Sequence, residues 1–129
     1  MFTFPTLILR SGQGTPPHML IYKIFRADEW AALQSKGESL GAPIDLADGF
    51  VHFSTASQAA ETAAKHFAGV DGLLLLAVEG DDLGDALKWE VSRGDALFPH
   101  LYATLRVEDV IWAKPLPLVD GVHQFPDIA

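Results

Sequence analysis

Hydrophobic and polar positions alternate along "LIYKIF" (20–25), with Leu20, Tyr22 and Ile24 on one face, which is the period-two pattern of a strand. The pattern then turns helical in "RADEWAALQSKG" (26–37). Asp28 and Glu29 fall in its first turn, where the helix dipole favours negative charge, and Gly37 is placed to close its C-terminal end. "ESLGAPIDLADG" (38–49) has no period and reads as turn-rich loop, followed by a short strand in "FVHFS" (50–54). "STASQAAETAAKHFAG" (54–69) carries the clearest helical signal. Thr55 and Gln58 have capping-box spacing, Ala56, Ala59, Ala60, Ala63 and Phe67 form an apolar stripe, and Gly69 is placed to close the end. So many alanines imply a helix lying close against a sheet.

"GLLLLAV" (72–78) is apolar throughout and reads as a central strand covered on both faces. "LKWEV" (87–91) and "VIWAKPL" (110–116) are further strands, and "FPHLYATL" (98–105) reads as the connection between them, with Pro99 starting a turn. Five strand-like runs with two helices in the first half predict an α+β fold: small twisted sheets with two helices. "SGQGTPP" (11–17) divides off residues 1–18, a flexible arm or the product of a start codon upstream of Met19, from a single α+β domain at 19–129.

Composition narrows the function classes. Of 129 residues, 49% are hydrophobic and 20% charged, as in globular domains. Seventeen acidic side chains against nine basic ones give a formal charge of −8, which opposes binding to a phosphate backbone and argues against nucleic acid. Without cysteine there is no disulfide, thiolate metal site or cysteine nucleophile. The start "MFTFPTLILR" is too short for a membrane span and lacks the pattern of a secretory signal, so a cytoplasmic protein with no membrane partner is expected. Spacing does not suggest a metal site, and no glycine-rich phosphate loop is visible.

The candidate chemistry lies in histidines and one glutamate. His52 alternates with Val51 and Phe53; if those face the core, His52 faces a groove or solvent, just before a helix N-terminus suited to polar ligands. A hydrogen-bonded structural histidine is the plainer reading. His100 and Tyr102 project to one side if their run is extended, and two rigid rings so placed can line a pocket; a loop histidine with a core tyrosine is the plainer reading. Glu90 lies on the opposite face from Trp89 and Val91, where it serves as a general base or simply faces water. Ser54, Thr55 and Ser57 fit helix capping better than nucleophilic roles, with Ser54 also placed to touch a ligand.

Taken together, "IYKI", "DGFVHFSTASQ", "LKWE" and "FPHLYATL" resemble the bacterial and plant family called domain of unknown function 952, over roughly residues 20–117. The resemblance implies an ADP-ribosyltransferase-like fold, two small sheets splayed around a cleft for NAD or an ADP-ribose product. "FVHFSTASQAAETAAKHFAGVDGLLLLAV" is similar to a part of the RNA 2′-phosphotransferases, which implies His52 in the cleft beside a ribose or phosphate. Members of the uncharacterised family often carry histidine where this chain has Lys23, so a mechanism needing a first-strand imidazole is in doubt.

Two functional readings follow. In the first, an NAD-like or ADP-ribosyl compound is the substrate, with no other cofactor implied. His52 and Ser54 meet its ribose, Lys23 a phosphate, and His100 and Tyr102 flank its base. Glu90 steadies the ribosyl cation, with His52 and Glu90 catalytic. In the second, the same cleft is a non-catalytic module for a nucleotide-derived metabolite or a modified protein. Oligomeric state is not legible.

Overall fold

The computed structural model describes residues 19–128, so the reading of residues 1–18 lies outside the described residues. Two three-stranded antiparallel sheets carry the fold. In the first, β1 (Leu20–Phe25) pairs with β4 (Leu73–Glu79), which pairs in turn with β8 (Val110–Leu116). In the second, β6 (Leu97–Leu101) lies between β3 (Val51–His52) and β5 (Leu87–Val91). Two-stranded ribbons pair β2 (Glu38–Ser39) with β7 (Leu105–Arg106), and β9 (Leu118–Val119) with β10 (Val122–His123). The α-helices are α1 (Ala27–Lys36), α2 (Pro43–Asp48) and α3 (Ala56–His66).

The first sheet is buried on both faces, as the unbroken apolar run of β4 requires. On one face Ile21, Phe25, Leu76 and Val78 meet Val51, Phe53 and Leu101 of the second sheet and Leu33 of α1. On the other, Tyr22, Leu75 and Ala77 pack with Ala63 of α3 and Leu116. Complete burial of a leucine or phenylalanine here contributes roughly 1.5–3 kcal/mol. Ala59 and Ala63 are the fully buried residues of α3, and lacking bulk they let the helix lie against the sheet.

Several expectations need correction. The supposed loop at 38–49 holds β2 and α2, making three helices among the described residues where two were expected. Pro43 starts α2, because its fixed φ suits the first helical position and its missing N–H would be unpaired there anyway. Gly49, at φ +86, ends it by donating its N–H to the Asp45 carbonyl at 2.9 Å. Ala60 is exposed rather than part of the buried stripe. Helix α3 ends at His66, and Gly69, at φ +75, serves the turn beyond it rather than the cap.

Residues 97–101 form a strand and not a turn, with Pro99 inside the strand that has a neighbour on each side. Proline is tolerated there for a local reason. Its carbonyl accepts from Phe53 N–H at 3.0 Å, and the reciprocal bond it cannot donate falls at the last residue paired with β6 before the chain leaves for β1, so the loss is confined to the end of that pairing.

Residues 51–53 are bonded to β6, but Ser54 exchanges two backbone hydrogen bonds with Tyr22 of β1, at 2.8 and 2.9 Å. The chain changes partner between consecutive residues, passing from the second sheet to the first.

Candidate functional site

A cavity of about 690 Å³ lies beside this crossing. Its walls come from Tyr22 and Lys23 of β1, Asp48 of α2, His52 and Ser54 beside the crossing, and His100 of β6, among others. The size falls within the range of small-molecule sites.

His52 and His100 are register partners on adjacent strands, and their ring centroids lie 5.4 Å apart in an edge-to-face arrangement. Val51 and Phe53 are buried in the core, so the alternation of the strand turns His52 the other way, towards the cavity. Phe50 supports both imidazoles, with ring centroids 4.6 Å from His52 and 4.2 Å from His100.

Each imidazole is oriented through Nδ1 by a carboxylate. His100 Nδ1 meets Glu90 Oε1 at 2.8 Å, across the β5–β6 pair. The Tyr102 hydroxyl donates to the same oxygen, also at 2.8 Å. These bonds, with His100 first and Tyr102 second, hold the Glu90 carboxyl below its ordinary value and push the Tyr102 hydroxyl above its own. Glu90 engages Nδ1 of His100, and the buried Nε2 has no partner. Most buried polar atoms are paired, so this one stands out on a residue that lines the cavity.

His52 is held differently. Nδ1 lies 2.6 Å from Asp45 Oδ1, and Nε2 lies 2.9 Å from Asp48 Oδ2. Both contacts are hydrogen bonds together only when both ring nitrogens carry protons. Asp45 is buried and accepts four times: Oδ1 from His52 N–H and Nδ1, and Oδ2 from Ala42 N–H and the Lys23 ammonium, the last two at 2.7 Å. Burial pushes the Asp45 carboxyl up, but the hydrogen bonds from His52 and the Lys23 charge together bring it below the ordinary range. Lys23 is lowered by its burial, only partly offset by Asp45. Gly41, at φ +101, backs onto this carboxylate, and a Cβ there would run into Asp45.

The residues singled out in the sequence thus divide. Lys23, Ser54, His52 and His100 share the cavity wall. Lys23, expected to meet a phosphate, is paired with Asp45 at 2.7 Å. Ser54 Oγ lies 2.9 Å from Thr62 Oγ1, and Thr62 donates to the Gln58 carbonyl, so Ser54 is the donor of the pair. Glu90 and Tyr102 are not on the wall; they touch it only through His100. Sequence reasoning missed Asp45, Asp48 and Phe50. A usable signal was present: Asp45, Asp48 and His52 are spaced at i, i+3 and i+7, and Pro43 and Gly49 bracket one short helix.

No group of three or more histidine, aspartate or glutamate side chains suited to a metal occurs among the described residues, nor any helix long and apolar enough to cross a membrane.

This split-sheet α+β chain belongs to the family described as "Protein of unknown function (DUF952)", which matches residues 24–113. It is similar to protein CC0527 from Caulobacter crescentus, whose X-ray structure shares 54% sequence identity and a TM-score of 0.79, covering 81% of this chain and 93% of that one. The solution NMR structure of CC0527, also 54% identical, aligns with a TM-score of 0.74 and covers 81% of this chain and 91% of that one. No curated relative matches.

Proposed function

We propose that the cavity binds a small nucleotide-derived molecule of the NAD or ADP-ribose kind, and that the fold is of the ADP-ribosyltransferase type. On this reading the protein is a cytoplasmic enzyme of ADP-ribosyl or phosphate transfer. The observation that carries the reading is the unpaired Nε2 of His100 beside His52 on one cavity wall. Maintaining a buried, unsatisfied nitrogen costs about 1–3 kcal/mol, a cost that a ligand hydrogen bond removes. Support also comes from the cavity lying where the chain crosses between the two sheets, as expected of a cleft between sheets.

The roles follow from position. His100 is the base, since Glu90 fixes its Nδ1 proton and leaves Nε2 to receive another. His52 is the acid, backed by Asp45. Ser54 accepts from a ligand hydroxyl. Glu90 and Tyr102 position His100 rather than touching substrate, so Glu90 no longer serves the ribosyl cation directly.

A non-catalytic binding module is the second reading, favoured by one observation: both nitrogens of His52 are already engaged. A thermal-shift series with NAD, ADP-ribose and cyclic nucleotides tests the common premise. A ligand at about 100 times its dissociation constant adds about 2.7 kcal/mol to the folded state, an easily measured rise in Tm. Lack of any shift across the series refutes the ligand site. Binding without turnover selects the module.

A further inference from the structure

Resting on the reading of the cavity as a nucleotide site, we propose that its substrate is a ribonucleoside 2′,3′-cyclic phosphate, hydrolysed with His100 as base and His52 as acid.

His52 is engaged at both ring nitrogens, by Asp45 and Asp48, whereas Nε2 of His100 has no partner. A doubly engaged imidazole and one with an unpartnered nitrogen therefore stand 5.4 Å apart on one wall. Cleavage of the N-glycosidic bond of NAD has no use for the acid, because nicotinamide departs already neutral. Displacement at phosphorus by water uses both: one proton must leave the nucleophile and another must reach the departing alkoxide.

Charge selects the phosphorus compound. The wall carries the Lys23 ammonium and the Arg26 guanidinium, but Lys23 is paired with Asp45, Arg26 lies 3.8 Å from Glu29, and Asp48 adds a further negative charge. A dianionic monoester would find no surplus of cations there. A phosphodiester carries a single charge, which the remaining ammonium N–H groups of Lys23 suit. A cyclic mononucleotide is also small enough for a cavity of about 690 Å³.

The step balances without a co-reactant. Water gives a proton to His100 Nε2 as its oxygen bonds to phosphorus. The P–O bond to one ribose oxygen breaks, and that oxygen takes the proton from His52 Nε2. Asp48, with its side chain 46% exposed, swings aside to release that proton. The product is a nucleoside 2′- or 3′-monophosphate, whose second negative charge the wall does not favour, and the two histidines exchange their proton difference through solvent.

The experiment incubates the full chain with 2′,3′-cyclic AMP and follows phosphorus NMR, alongside thermal shifts with NAD and ADP-ribose. His52→Asn and His100→Asn are assayed in parallel; asparagine keeps a donor near the Nδ1 position but has no atom at Nε2. Conversion to monophosphate by the wild type is expected, with a loss of at least about 100-fold in either folded variant. Undiminished turnover in the folded variants overturns the proposal. Shifts with NAD or ADP-ribose but no wild-type hydrolysis also overturn it, while leaving the nucleotide cavity standing. If no compound binds, both fall. The wild-type result holds even if the variants fail to fold.

Discussion

Asp45→Asn is expected to lower the free energy of unfolding by about 3–5 kcal/mol, measured by urea denaturation at neutral pH. The substitution is nearly isosteric, so the loss comes from hydrogen bonding and charge. Donors face both oxygens of Asp45: Lys23 and Ala42 on one side, His52 on the other. Whichever way the amide turns, its NH₂ group points at donors. Lys23, already lowered by burial, loses the carboxylate that raises its pKa and is left uncompensated.

The pH dependence has a defined sign. The carboxyl of Asp45 in the folded protein lies below its ordinary value of 3.8, so its contribution is complete above that value and is lost as pH falls through the lower, folded one. The gap in stability between wild type and Asp45→Asn is therefore constant at higher pH and narrows in acid below 3.8.

His100→Phe is expected to do the opposite. The unpaired Nε2 disappears, Phe50 keeps a ring to stack on, and Glu90 retains the Tyr102 hydroxyl and its contact with water. Stability should rise by about 1 kcal/mol, by removal of an unsatisfied buried nitrogen. Every ligand-induced rise in Tm should vanish in the same variant. A gain in stability with a loss of ligand response is the signature of a residue held for function. A large loss of stability would instead make His100 a structural residue.

The strands at 20–25, 87–91 and 110–116 were legible to the residue, because each is an apolar run or alternation bounded by breakers. The α3 helix was legible through the capping pair Thr55 and Gln58, and the Gln58 side chain accepts from Thr55 N–H at 3.0 Å. Pro99 misled, because a proline inside a strand is acceptable only where the neighbouring strand has ended, and that is a fact of topology rather than of local sequence. Helix α2 was hidden by its shortness: six residues give less than two turns of periodicity, and its Ile44 and Leu46 are exposed, so no apolar stripe announces it.

The site was half legible for the same reason. Histidines 52 and 100 stand out on strands whose neighbours are apolar, and the strand period alone gives the direction of His52. Their partners come from elsewhere. Asp45 lies seven residues from His52, on the unrecognised helix, and Glu90 reaches His100 only across a strand pair. A local reading assigned Glu90 and Tyr102 to the ligand because it could not see that His100 stands between them and the cavity.

Long-range ¹H–¹⁵N correlation of the histidine rings, recorded with and without ADP-ribose, tests the central claim most directly. The prediction is a His100 ring protonated at Nδ1 with a bare Nε2, and movement of the His52 and His100 nitrogens on addition of ligand. A His100 proton on Nε2, or rings indifferent to ADP-ribose, NAD and cyclic AMP alike, would contradict it.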